Sequence, residues 1–236
     1  MEIEEVRAAH PEIECILFPK SDYAAGLAFL QRLRDLFGKA RLSEEDSYRL
    51  ASIRLGQDFA HTNGAGSAEQ FLAAAEATIT LEYNPPSADK RVVELVNKTN
   101  QFNLNGIRYS DTEWHQLLQD ERVFVLAVSY ADKFGPLGKV AVLRGKQDGS
   151  RLSVGTWVLS CRAFSRRIEY QCLAQLFRRF GAEEIVFEFL PTQKNGPLQT
   201  FLASLSNGVL SPEVHVRHPA FEANCPRLYH HVIEKE

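Results

Sequence analysis

The sequence predicts an α/β domain, a mixed sheet flanked by helices, preceded by a mainly helical extension. Three observations carry that prediction. Two apolar runs, Val123 to Tyr130 and Lys139 to Leu143, flank a Gly/Pro turn at residues 132–138, the pattern of a hairpin. From Leu152 to Phe180 the period changes: a Val-, Thr- and Trp-containing alternation gives way to Ile168, Cys172, Leu173, Leu176 and Phe180 at helical spacing, so a strand runs into a helix. The first 86 residues carry mostly helical patterns, and Asn84-Pro85-Pro86-Ser87 then breaks the chain. That break divides it into an extension, residues 1–86, and a domain, residues 87–236.

Within the extension, Ile13 to Phe18 reads as a short strand ending at Pro19. Ser21 or Asp22 caps a helix through Leu27, Leu30, Leu33 and Phe37, with Gly38 placed to end it in a left-handed conformation. A second helix starts at Ser43, where acidic residues 44–46 suit the positive end of a helix dipole, and fades before Asn63-Gly64-Ala65-Gly66. Ser67 with Gln70 forms a capping box for a third helix holding Phe71 and Leu72. Ala77 to Tyr83 alternates like an edge strand.

Beyond the break, a helix from about Ala88 carries Val92, Val93, Leu95 and Val96. Ser110 and Glu113 make another capping box ahead of Trp114, Leu117 and Leu118. After the hairpin, Gln147-Asp148-Gly149-Ser150 turns the chain into the strand that begins the 152–180 stretch. Glu184 to Leu190 supplies a further strand, Pro197 to Leu205 a helix, and Val214 to Val216 and Leu228 to Ile233 two closing strands.

Composition narrows the function. With 27 basic and 30 acidic residues and a net charge of -3, the chain is not built around the phosphate backbone of nucleic acid. No apolar run approaches the roughly 20 residues that cross a bilayer, and MEIEEVRAAH lacks the basic and apolar regions of a signal peptide. A cytoplasmic protein with neither nucleic-acid nor membrane partners is expected. Cysteines 15, 161, 172 and 225 are widely spread, without zinc-like spacing, so reduced thiols and no metal are expected.

The residues that carry chemistry collect at the strand-to-helix corner, Ser160-Cys161-Arg162-Ala163-Phe164-Ser165-Arg166-Arg167. Free amides at a helix N-terminus attract anions, guanidinium groups bind phosphate through a fork, and a thiol in positive surroundings ionises more easily. Such a corner suits a thioester or a phosphate. Glu169, one turn into the helix, suits two roles, a base or an ion-pair partner for an arginine. No histidine is near in sequence; His215, His218, His230 and His231 reach the corner only through folding. Lys98, Asn100, Gln101 and Asn103 lie in a segment too polar for a core and can either wall a small hydroxylated or phosphorylated group or cap the preceding helix. Thr192, Lys194 and Asn195, between a strand and a helix, suit a second anion site or a cap.

This order of helices, a three-stranded meander, then helix, strand, helix and closing strands resembles the GNAT acetyltransferase fold. In that family the loop after the fourth strand binds the pyrophosphate of an acyl-CoA through Arg or Gln, two residues, Gly, one residue, then Gly or Ala. Aligned on Arg162, Ser165 and Arg167 stand where the glycines belong, a departure that disfavours ordinary acetyl-CoA binding.

The sequence is also similar to the C-terminal half of FkbH-like proteins, which join a haloacid-dehalogenase-type phosphatase domain to a GNAT-like domain and form glyceryl or related acyl thioesters on an acyl carrier protein. Four blocks carry this resemblance. They are Lys98-Thr99-Asn100-Gln101-Phe102-Asn103-Leu104 with Arg108-Tyr109-Ser110; Asp132-Lys133-Phe134-Gly135; Leu159-Ser160-Cys161-Arg162 with Arg166 and Glu169; and Pro191-Thr192-Gln193-Lys194-Asn195. Glu4-Glu5-Val6-Arg7-Ala8-Ala9 and Leu42-Ser43-Glu44-Glu45-Asp46 resemble the stretch that follows the phosphatase core. The DxDx(T/V) phosphatase loop is missing, so no phosphatase activity is expected from this chain, and in a split system a separate phosphatase domain would be a partner.

The resemblance implies an acyltransferase-like domain working with the phosphopantetheine of an acyl carrier protein, or with an acyl-CoA. Cys161 would carry the acyl group or lie beside the thioester, with Ser160, Arg162 and Arg166 around it. Two other readings stay open. One is a non-catalytic GNAT-fold module that docks the carrier or the phosphatase; the other is an acetyl-CoA-dependent N-acetyltransferase.

Overall fold

The computed structural model describes residues 2–38, 68–87 and 89–235; the helix expected from Ser43 and the capping box at Ser67 lie outside them. The chain divides into two compact units, Met1–Ser43 and Glu44–Glu236. In the first, helix α1 (Glu2–Ala9) precedes an irregular stretch and helix α2 (Tyr23–Phe37). Asp22 caps α2 by accepting hydrogen bonds from the amides of Ala24 at 2.9 Å and Ala25 at 3.0 Å. Two expectations are corrected here. Ile13 to Phe18 forms no ladder, because an apolar run becomes a strand only with a partner to pair with. Gly38 ends α2 in an extended conformation rather than a left-handed one.

The second unit holds a seven-stranded mixed sheet in the order β6-β5-β4-β3-β2-β1-β7. Helix α3 (Ala68–Ala74) leads to β1 (Thr78–Tyr83), followed by α4 (Lys90–Lys98) and α5 (Asp111–Leu117). The capping box at Ser110 and Glu113 is formed in full, and Asp89 caps α4. Strands β2 (Val123–Asp132), β3 (Gly135–Asp148) and β4 (Arg151–Leu159) form the antiparallel meander. A 3-10 turn, Cys161–Ala163, leads to α6 (Ile168–Phe180). Next come β5 (Glu184–Glu188), α7 (Gly196–Leu205), β6 (Glu213–Arg217), α8 (His218–Asn224) and β7 (His231–Lys235). This is the order expected from the sequence, helices, a three-stranded meander, then helix, strand, helix and closing strands, with a further helix, α8, between the last two strands.

Strand β1, read from its alternation as an edge and assigned to the extension, lies between β2, to which it is antiparallel, and β7, to which it is parallel. The two closing strands go to opposite edges of the sheet: β6 pairs with β5 and β7 with β1. The apolar faces make two cores. Leu173, Leu176 and Phe177 of α6 and Leu198 and Leu202 of α7 pack on Leu143, Val154, Trp157 and Phe187, while α4 and Trp114 of α5 cover Val125, Ala127, Val142 and Val158 on the other face.

The feature that shapes the site is the divergence of β4 from β5. These parallel strands pair from Arg151 and Glu184 only as far as Val154 and Phe187. The segment between α4 and α5 fills the space beyond. Leu104 N–H donates to the Trp157 carbonyl at 2.9 Å, Leu159 N–H to the Phe102 carbonyl at 3.0 Å, and Leu190 N–H to the Leu104 carbonyl at 3.1 Å. Phe102 enters an aromatic nest with Trp157, Phe164 and Phe201, at ring separations of 5.3, 6.2 and 5.8 Å.

Candidate functional site

At the end of β4 the chain turns through Ser160 and Cys161, and the Cys161 side chain is exposed. The Ser160 hydroxyl caps nothing. Ser165 and Arg167 both have positive φ, 64° and 57°, so the two positions where the resemblance calls for glycine hold the left-handed conformation that glycine adopts without strain. Such alternation turns successive amides toward one side, the geometry of an anion cradle. Among the described residues, no acceptor faces the N–H groups of Ser165, Arg166, Arg167 or Ile168. They stand at the N-terminus of a 13-residue helix, where the dipole adds to the attraction for an anion.

The three arginines of the corner hold the loop in this shape. Arg162 donates to the Lys139 carbonyl of β3 at 2.9 Å, and burial draws its pKa down. Arg166 donates to the carbonyls of Arg162 at 3.0 Å and Phe164 at 3.4 Å, lies over the Tyr130 ring at 5.4 Å, and has Asp132 3.7 Å away. Arg167 donates to the Arg227 carbonyl at 2.7 Å and pairs with Glu69 of α3 at 2.6 Å. The guanidinium groups of Arg162 and Arg166 are thus turned onto backbone carbonyls of the loop and of β3. His230, from the segment that crosses toward β7, closes the arrangement: its Nε2 lies 2.8 Å from the Arg166 carbonyl, and burial lowers its pKa, which favours the neutral ring donating there.

Glu169 lies at the start of α6, with Arg167 near enough to act on its charge. Its carboxyl turns back on its own amide, burial raises its pKa, and Arg167 pairs with Glu69 instead. The polar segment before α5 is also committed to structure. Asn103 is buried; its Oδ1 accepts from Gly106 N–H at 2.8 Å and its Nδ2 donates to the Thr99 carbonyl at 3.1 Å. Asn100 accepts from Arg108 at 2.7 Å, Lys98 pairs with Glu94 at 2.7 Å, and Gln101 is exposed.

Asn195, fully buried, joins this segment to the loop after β5. It donates to the carbonyls of Asn103 at 2.9 Å and Leu190 at 3.0 Å and accepts from Thr192 N–H at 2.8 Å. The Thr192 hydroxyl accepts from Asn195 N–H at 3.1 Å, while Lys194 is exposed. Asn195 and Thr192 stitch the filled crevice. Sequence reasoning passed over the roles of Tyr130 and Asp132. The available signal was an aspartate ending an apolar strand, since a buried carboxylate there requires a cation.

No protein-family model matches the sequence, and no curated protein matches it. Solved structures do. The ribosomal-protein-S18-alanine N-acetyltransferase from Escherichia coli is 13% identical, over 55% of this chain and 76% of that one, with a TM-score of 0.36. Nourseothricin acetyltransferase is 13% identical over 63% and 99%, with a TM-score of 0.35. The GNAT family N-acetyltransferase YhbS from Escherichia coli, in complex with CoA, is 16% identical over 69% and 91%, with a TM-score of 0.37. The overlap is low in each case, and the fold stands on its strand order. Among the described residues no cluster of ligand side chains could hold a metal ion, and no helix is long and apolar enough to cross a membrane.

Proposed function

We propose that this domain handles a small acyl group carried as a thioester on a phosphate-bearing arm, either the phosphopantetheine of an acyl carrier protein or an acyl-CoA. One observation carries the reading. The left-handed residues Ser165 and Arg167 present the open amides of residues 165–168 a few residues from the exposed Cys161 thiol. A phosphate on those amides would place the arm near the thiol. The Cys161 thiolate would then attack the thioester carbonyl, forming a new C–S bond as the old one breaks, and the departing thiolate would take up a proton. Reversal onto a carrier thiol completes the transfer. The FkbH-like resemblance makes a glyceryl or similar group the acyl unit and an acyl carrier protein the partner.

The test is intact-protein mass spectrometry of the chain and its Cys161→Ser variant after incubation with a glyceryl thioester, with and without a holo acyl carrier protein. Acyl mass on the wild type alone, passed on to the carrier, is expected. A second reading, a docking module without catalysis, is favoured by the crevice between β4 and β5, which the chain's own Phe102 to Asn105 fills. Carrier binding with no adduct and no transfer would replace the relay with that module.

A further inference from the structure

The outer edge of the sheet at β6 carries a pattern that the thioester corner does not use. β6 is the last strand on its side, so one of its edges pairs with β5 and the other faces outward. The ladder tells which groups face outward, because hydrogen-bonded and non-hydrogen-bonded residues alternate along an antiparallel pair. At its two ends, Phe189 N–H donates to the Pro212 carbonyl at 2.8 Å and His218 N–H to the Glu183 carbonyl at 2.9 Å. Val214 and Val216 share that alternation and turn their backbone groups toward β5, so those of Glu213, His215 and Arg217 point out. Two of these outward groups are engaged: the Glu213 carbonyl accepts from the Ser211 hydroxyl, and the Arg217 carbonyl, at the N-cap, begins α8. Among the described residues, nothing pairs with the others. α8 itself packs back on α6, with Phe221 and His218 against Phe177 at ring separations of 5.3 and 4.6 Å. An edge left unpaired in this way is a template for another strand.

The strand reads Glu213-Val214-His215-Val216-Arg217, an order complementary to itself. Laid antiparallel against a second copy with His215 on the two-fold axis, Glu213 faces Arg217 at both ends and Val214 faces Val216. The backbone agrees with that register. His215 N–H meets the His215 carbonyl of the second copy, and Arg217 N–H meets its Glu213 carbonyl, each of them twice across the axis. The charges at the ends are loosely held in the single chain. Glu213 is 71% exposed, with His215 3.8 Å away, and Arg217 is 81% exposed, with Glu184 3.9 Å away. Glu213 also stands opposite Glu188 of β5, a like-charge neighbour that a cation on its other side offsets. Charges on an edge ordinarily repel other strands. Here they are placed to attract a copy of the same strand.

We infer that β6 is a docking edge for a second copy of this chain, which joins the two sheets into one continuous sheet across a two-fold axis. A strand of five residues makes a small interface, below the ~1,200 Å² of standard complexes, so the dimer is weak and forms with rising concentration. The pairing does not depend on whether the corner takes a thioester.

Sedimentation velocity of the full chain at low ionic strength, from tens of micromolar to about 1 mM, tests the docking edge. The wild type should pass from monomer to dimer over that range. Glu213→Arg sets arginine against Arg217 at both ends, and Arg217→Glu sets glutamate against Glu213. Each should weaken self-association about tenfold, since like charges directly opposed are unfavourable. An equimolar mixture of these two variants restores opposite charges at both ends and should dimerise as the wild type does, a recovery that misfolding could not produce. His215→Pro removes an N–H that the single chain does not use, so the variant should keep a cooperative urea transition and lose the dimer. A chain that stays monomeric up to about 1 mM overturns the docking edge, as does a dimer that survives His215→Pro or a mixture that does not recover.

Discussion

Ser165 and Arg167 hold a conformation that a side chain makes unfavourable. A left-handed residue other than glycine costs about 1–2 kcal/mol. At Arg167 the ion pair to Glu69 and the bond to the Arg227 carbonyl offset that cost. At Ser165, whose side chain is exposed, nothing comparable does. Ser165→Gly should therefore stabilise the protein by roughly 1 kcal/mol, read as a higher urea midpoint at unchanged slope. The same substitution should leave the amide cradle in place, because glycine adopts the φ of 64° freely. A lower midpoint would mean that the loop does not rest in this conformation. The corner was legible in the sequence as a place, through its thiol, its arginines and its displaced glycines. The task of each arginine was not, because that depends on carbonyls of β3 and of the C-terminal segment that are distant in sequence.

Among the elements, the decisive pair is the segment wedged between β4 and β5 and the segment that crosses from α8 to β7. The polarity of residues 98–105 identified a loop with work to do, but side chains able to wall a substrate are equally able to bond to backbone. Only the divergence of β4 from β5 determined which they do. The crossing segment delivers His230 to the Arg166 carbonyl, with the Tyr130 ring beside it and the positive charge of Arg167 near enough to add to the effect of burial. Its folded pKa lies below the ordinary 6.5, so as pH falls the unfolded chain takes up the proton first. The stability this contact gives is present above pH 6.5 and is lost as pH falls through the folded value. Urea midpoints measured from about pH 7.5 down to 5.5 should fall for the wild type and fall less for His230→Gln, whose amide can donate to the same carbonyl without titrating. Equal slopes for the two proteins would show that His230 is not held neutral on the loop.

At the scale of the whole molecule, the meander and the strand-to-helix corner could be read from residues 123–180 because both periods are strong and locally consistent there. Sheet membership at the edges could not. The alternation of Leu228 to Ile233 announces a strand but not its neighbour, and β7 joins β1 at the far side from β6. For the same reason β1 read as the end of an extension although it is interior to the sheet. These long-range pairings place the domain's cohesion within the second unit. Its buried apolar side chains run from Leu72 to Phe221 and cover both faces of the sheet, whereas α2 buries no residue. A fragment of residues 44–236 should accordingly fold alone and unfold in one cooperative step. Its urea slope should lie within about 10–15% of that of the full chain's main transition, since the slope follows the surface exposed. A fragment without a cooperative transition would place part of the sheet's support in residues 1–43.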